Sequence, residues 1–308
     1  MRITLSLIFC TFLGLACGQA HAQDCQIEKR ATLPINYERY LPTVAIMING
    51  HSVNMGVDTG AERTFVTPEA AEEMHLPNDP HHMTQSIGVG GSKTVNNVMV
   101  DDISFGLAHL TQQSMAVNSL TSRLGSQDFG PTLSLGGLLG ADILSQYDIE
   151  YDVTGRTLSL YSVSNCAQIS PLWEGDYARL PTKLTSHKLL LIPVSLDKHV
   201  VMAIFDTGAS GLFLTRSSAA KAGFADNIFD TDPVAFGSGV NNQSFQMPIH
   251  MFEGIIIGKE LYRGLRVGIV NSSLGNADML VGENYMNEHR FWLSYSTGTL
   301  FIQRNAAR

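Results

Sequence analysis

The stretch at residues 41–61, LPTVAIMINGHSVNMGVDTGA, decides the reading of the fold, because its last four residues, Asp58-Thr59-Gly60-Ala61, return as Asp206-Thr207-Gly208-Ala209, 148 positions later. A given tripeptide arises by chance at roughly one position in several thousand on ordinary composition, so two copies ask for a common cause. Each copy is also approached in the same way. Apolar residues bracket Asn49-Gly50, a strong hairpin signal, nine residues before Asp58. In LLLIPVSLDKHVVMAIFDTGA, at 189–209, the turn at Asp197-Lys198 stands nine residues before Asp206.

The agreement continues downstream. Phe65 and Thr67 answer Phe213 and Thr215 at the same offset of 148. Each threonine is placed to cap a short helix, with Pro68 at the first helical position in one copy and an Ala219-Ala220 run in the other. Leu138-Leu139-Gly140 answers Leu280-Val281-Gly282 at an offset of 142, and each is followed by a helix-like stretch and by strands joined at Thr154-Gly155 or Thr297-Gly298. Between these landmarks each half carries a glycine-rich turn, Ile87-Gly88-Val89-Gly90-Gly91 and Phe236-Gly237-Ser238-Gly239. A repeat of this period means two homologous lobes, not a solenoid. The expected division is a signal peptide at 1–22, one lobe at 23–165 and the other at 166–308, joined through the linker at 162–188.

Hydrophobic residues make up 44 % of the 308 and charged residues 16 %, with 28 glycines. That balance suits a turn-rich β protein better than a helical bundle or a disordered chain. Arg2, the apolar run from Ile3 to Leu15 and the small residues ending at Ala20-His21-Ala22 form a secretory signal with an A-x-A cleavage site. The protein is therefore expected to be exported, cut after Ala22; lipid attachment at Cys17 is the rival reading, and Gly14 stands where a lipobox usually has a leucine-like residue. No later apolar run is long enough to span a bilayer. The net charge of −8 gives no basic face for nucleic acid.

Removing the leader also removes Cys10 and Cys17. Cys25 and Cys166 then remain as the only thiols in an oxidising compartment, where a pair is expected and two separate thiols are the alternative.

One carboxylate at the end of a strand is commonplace, but two brought together by a pseudo-twofold are a different object. Like charges a few ångströms apart cannot both ionise, so Asp58 and Asp206 would hold one shared proton in mild acid. The ionised member then takes a proton from water while the protonated member polarises a carbonyl, which is hydrolysis without a metal or another cofactor. Thr59 and Thr207 are expected to hydrogen-bond across the axis. Gly60 and Gly208 bring backbone N–H donors close to the carboxylates.

These motifs resemble the pepsin-like and retropepsin-like aspartic proteases, in which two D-T-G loops form the dyad, an apolar pair plus glycine threads behind each loop, and glycine-tipped hairpins act as flaps. The flap and DTGA runs look like retropepsin halves, here carried on one chain as in pepsin. The resemblance implies an all-β fold of two homologous retropepsin/pepsin-like β-barrel lobes with an active-site cleft between them. It implies an aspartic endopeptidase that binds a peptide or protein substrate as an extended strand and is complete as a monomer. It makes Asp58 and Asp206 catalytic, supported by Thr59, Gly60, Ala61, Thr207, Gly208 and Ala209. Glu62 and Ser210, with Gly88, Val89, Gly90 and Gly91 on one flap and Gly237, Ser238 and Gly239 on the other, would face substrate. The chain departs from the retropepsin pattern after Leu-Leu-Gly, where an arginine is common and Ala141 and Glu283 stand instead.

Competing readings are weaker. His81-His82 lacks a third ligand at a metal-binding spacing. The glycine runs do not fit G-x-G-x-x-G, since Lys93 takes the place of the third glycine. Asp101, Asp102, Asp148 and Asp152 read as turn and edge residues. A phosphoryl-accepting aspartate gives no reason for a duplicated motif. A catalytically silent peptide-binding protein on the same fold is the alternative of a different class.

Overall fold

The computed structural model describes residues 24–38, 40–88, 91–119, 135–238 and 244–305. The proposed leader at 1–22 and the flap-tip residues Val89, Gly90 and Gly239 lie outside them. Among the described residues the chain is built almost wholly of strands, arranged in sheets of eight, ten and six.

The repeat in the sequence becomes a repeat in topology. Strands Leu41–Ile48 and His51–Val57 form the hairpin turned at Asn49-Gly50, both with positive φ, and Leu190–Leu196 and His199–Phe205 form its counterpart turned at Asp197-Lys198. The Asn49 side chain fixes the first turn further, its Oδ1 accepting from the Asp101 and Asp102 N–H groups at 3.0 and 2.9 Å. Each hairpin delivers its second strand to an aspartate. Strand Gly137–Leu139 then runs parallel to His51–Val57 and antiparallel to Phe65–Val66, threading between the two arms that flank the Asp58 loop. Met279–Val281 does the same between His199–Phe205 and Leu212–Thr215. This ψ-shaped crossing is tight: a methyl on Gly137 would lie 2.1 Å from the Phe65 carbonyl oxygen.

The expected caps are present. Thr67 Oγ1 accepts from Ala70 N over Pro68–Glu73, and Thr215 Oγ1 accepts from Ser218 N over Arg216–Ala222, which ends on Gly223 in the left-handed region. The glycine-rich turns are hairpin tips, closing Asn78–Gly88 on Gly91–Phe105 and Val234–Ser238 on Ser244–Met251.

The third sheet joins the halves. Its order is Gln26–Pro34, Thr157–Ser164, Asp148–Asp152, His289–Ser294, Thr299–Arg304 and Ala178–Pro181, three strands from either side. At its centre Ile149 pairs with Leu293 and Tyr151 with Phe291. The offset of 142 maps the first of these pairs onto the second, so a local twofold passes between the two strands. Asp148 sits on this seam and differs from the expected edge residue: it is buried, accepting from the Ser296 N–H and hydroxyl, both at 2.9 Å. Burial demanded those partners, because an unpaired carboxylate there would cost several kcal/mol.

Below the seam a main core runs through both halves. Phe291 stacks on Tyr151 at 4.7 Å and meets Phe205 edge-on at 4.9 Å, which couples the joining sheet to the residue before Asp206. On the outer face the linker covers Tyr161, Trp292 and Phe301, and Glu150 gathers Tyr161, Trp173 and Arg290. The Cys25–Cys166 disulfide straps the linker to the first strand. No helix among the described residues is long and apolar enough to cross a membrane.

Candidate active site

The two D-T-G loops meet at the ends of their ψ crossings. Asp58 N donates to Leu139 O at 3.0 Å and Asp206 N to Val281 O at 2.9 Å, so each aspartate is positioned by the strand threaded beside it. Behind the loops Ala141 N donates to Ala61 O and Glu283 N to Ala209 O, at 2.7 and 2.8 Å.

Between the halves the threonines exchange bonds. Thr59 N donates to Thr207 Oγ1 at 3.0 Å and Thr207 N to Thr59 Oγ1 at 3.1 Å. Each hydroxyl passes its own proton on, Thr59 to Phe205 O at 2.6 Å and Thr207 to Val57 O at 2.7 Å. All four polar groups of this buried knot are thereby satisfied. Thr207→Val keeps the volume but leaves the Thr59 N–H and the Val57 carbonyl without their partner. The expected cost is about 2 kcal/mol of stability, read as a lowered midpoint in denaturant, with Thr59→Val matching it. A midpoint equal to that of the unaltered protein would show the knot to be idle.

Asp58 Oδ1 accepts from Gly60 N and Ala61 N, both at 2.9 Å, and Asp206 Oδ1 from Gly208 N at 2.8 Å. The glycines also do something that no reading of the single motif reveals. A methyl on Gly60 would lie 2.2 Å from Asp206 Cγ, and one on Gly208 would lie 2.3 Å from Asp58 Cγ. Each carboxyl therefore rests on the glycine of the opposite loop.

The carboxyls are hydrogen-bonded to one another. Burial raises both above the ordinary carboxylate range. For Asp206, 7 % exposed, the facing Asp58 charge raises it further; for Asp58 the bond from Asp206 and those from Gly60 and Ala61 pull it back down. Two carboxyls so close titrate as a pair rather than one by one, and burial holds the pair above the ordinary carboxylate range.

This geometry coincides with a likeness in sequence. A family model described as aspartyl protease matches residues 44–143. The matched stretch contains the first hairpin, the Asp58 loop and the strand threaded beside it, and it supports an aspartic protease family. No curated protein matches the chain.

The halves are not equal around this centre. Thr64 donates through N and Oγ1 to Asp142 Oδ1 at 2.8 and 2.7 Å, and accepts from Gly140 N at 2.9 Å. Burial raises the Asp142 carboxyl, and those bonds offset the rise only in part. In the other half Leu212 and Asn284 occupy the corresponding positions, and no such tie exists between them. Neither Thr64 nor Asp142 carries a motif that would single it out in the sequence; the tie depends on two segments 78 residues apart. Glu62, half exposed, lies 3.5 Å from His187 Nδ1 on the linker, a pairing equally unreadable from spacing. Ser210 is partly buried. His82 pairs with Asp79 at 2.7 Å in the bulged base of the first flap hairpin. Ser114 and the His81 N–H also donate to Asp79, and these bonds lower its carboxyl to about 2. Gly88, Gly91, Gly237 and Ser238 lie at the ends of the strands of the two glycine-tipped hairpins, and Ala61 and Ala209 next to the aspartate loops.

Proposed function

We propose that this chain is an exported aspartic endopeptidase, a single polypeptide of two retropepsin-like halves at 23–165 and 166–308, released after loss of 1–22. The observation that carries the reading is the pair of carboxyls, one from each half, Asp206 buried and Asp58 partly so, brought together where the threonines exchange bonds.

The chemistry follows from a single proton held by the pair. Asp58, ionised, takes a proton from a water held between the carboxyls, and the water oxygen bonds to the carbon of the scissile peptide. Asp206, protonated, gives its proton to the carbonyl oxygen as that oxygen gains charge. In collapse, the proton held by Asp58 passes to the leaving nitrogen and the C–N bond breaks. One of the two hydroxyls of the tetrahedral centre returns its proton to Asp206, restoring the pair. No metal enters these steps. The substrate lies extended between the two hairpins, where its backbone can pair as a strand, and both aspartates come from one chain, so one copy suffices.

The test is cleavage of an unfolded protein at about pH 4 to 5, where a shared-proton pair is singly ionised. Cleavage should be blocked by a statine-type mimic of the tetrahedral centre and lost in Asp58→Asn. Full activity in Asp58→Asn would falsify the dyad. Tight binding of the mimic with no turnover by the unaltered protein would mark a silent peptide-binding protein instead.

A further inference from the structure

Residues paired side by side across a sheet project from the same face, and residues two apart along a strand share it as well. The face that carries Asp58 therefore also carries a row, Gly56–Leu138–Phe65–Ala116–Asn97, each paired with the next. The face that carries Asp206 carries Ile204–Leu280–Phe213–Gly268–Ile249 through the equivalent pairings. The rows correspond position by position, at offsets of 148, 142, 148, 152 and 152. The residues alternating with them, such as Val57, Leu139 and Val66 or Phe205, Val281 and Leu214, lie in the main core, so both rows face away from it.

The rows share their middle but not their ends. Beside the aspartate, Gly56 stands opposite Ile204. The site of a Gly56 side chain is filled by Leu41, whose Cδ2 would lie 2.7 Å from an added Cβ. Ile204 instead joins Leu280, Leu189 and Leu191 in an apolar cluster separate from the main core, with Phe213 packed against it. At the far end Asn97 stands opposite Ile249. Asn97 is buried and belongs to a polar group, accepting from Thr84 Oγ1 at 2.9 Å and donating to Ser114 Oγ at 3.0 Å. Ile249 is partly exposed, and near it Met247 packs toward Phe213 over Gly268.

We infer that the two walls of the site read substrate unequally: the Ile204–Ile249 row demands a bulky apolar side chain on its side of the scissile bond, whereas the Gly56–Asn97 row admits polar ones. The occupant is an extended peptide, and its identity as substrate rests on the endopeptidase reading above. The physical basis is asymmetric in energy. A polar side chain buried against Ile249, Phe213 and Leu280 finds no partner and loses its hydration, whereas one reaching the Asn97 group meets an amide, two hydroxyls and the Asp79 carboxylate that Ser114 bonds.

A library of octapeptides varied on either side of one cleavable bond tests this. The unaltered protein should prefer apolar over polar residues by at least tenfold on one side and by less than threefold on the other, as a pocket difference of a few methyl groups allows. Ile249→Thr should lower the stricter preference at least fivefold without moving the other, and Ile249→Val should restore it. Equal preferences on the two sides, or an Ile249→Thr profile that shifts on both, overturns the inference. Binding of the same peptides to Asp58→Asn, followed in parallel, keeps the two proposals apart. Unequal binding with no cleavage by the unaltered protein sinks the endopeptidase and leaves the asymmetry standing. Cleavage with equal preferences sinks the asymmetry alone.

Discussion

Gly208→Ala is expected to abolish peptide cleavage and to lower unfolding free energy by about 3 kcal/mol, at the upper end of the cost of overpacking a buried site. The added methyl would sit 2.3 Å from Asp58 Cγ and 2.3 Å from its Oδ2, well inside any tolerable contact. Both neighbours are constrained: Asp58 Oδ1 is tied to Gly60 N and Ala61 N, and the Gly208 loop is tied to the other half through Thr207. The methyl can be admitted only by parting the loops, which breaks the threonine exchange and the contact between carboxyls together. Gly60→Ala should behave alike, since its methyl would meet Asp206 at 2.2 Å. Gly211→Ala is the control, three residues along the same loop, where an added Cβ finds nothing closer than Asn284 at 3.6 Å. Its midpoint should stay within about 0.5 kcal/mol of the unaltered protein. Thermal and denaturant melts of the three variants decide the matter, and a Gly208→Ala protein as stable as Gly211→Ala would sink the account of crossed packing.

Asp206→Asn is expected to reduce cleavage by at least about 10³-fold, because it removes the proton that meets the developing oxyanion. It should also change how stability depends on pH. The native Asp206 carboxyl is raised well above its ordinary value, chiefly by burial and then by the charge of Asp58. A group so raised contributes stability that is whole below the unfolded value and is lost as pH climbs through the native one, since the unfolded chain gives up the proton first. Asparagine has no proton to lose. Between pH 4 and pH 8 the variant should therefore fall less in thermal midpoint than the unaltered protein, and its midpoint relative to that protein should improve as pH rises. Parallel curves for the two proteins would exclude a shared buried proton. For the unaltered protein, cleavage should fade in acid as Asp58 is protonated and fade again when the shared proton leaves Asp206, at a pH above the ordinary carboxylate range.

Much of the fold is legible in the sequence. Asn49-Gly50 announces its hairpin because only a few residue types accept positive φ in succession, and Asp197-Lys198 is found by its matching place nine residues before the second aspartate; both turns have positive φ. Thr67 and Thr215 announce helix starts because a hydroxyl satisfies a free N–H locally. The pairing of Cys25 with Cys166, read from their being the last two thiols, stands in the structure. Asp148 reads as an edge residue in the sequence and is a buried seam acceptor in the structure, because the two look alike without their neighbours.

The amino-acid sequence by itself determined that the D-T-G-A run and its flanking landmarks occur twice, where the turns and caps fall, and that two aspartates end equivalent strands. These are short-range facts, written in the periodicity and turn chemistry of adjoining residues. Only the tertiary structure decided that each carboxyl rests on the other loop's glycine, that Thr59 and Thr207 exchange bonds, and that Thr64–Asp142 braces one half alone. Those arrangements depend on contacts between segments as much as 150 residues apart, settled by packing around the local twofold. The inequality between the Asp58 and Asp206 walls belongs to the same class, since Asn97 and Ile249 become counterparts only once the register across three strands is known.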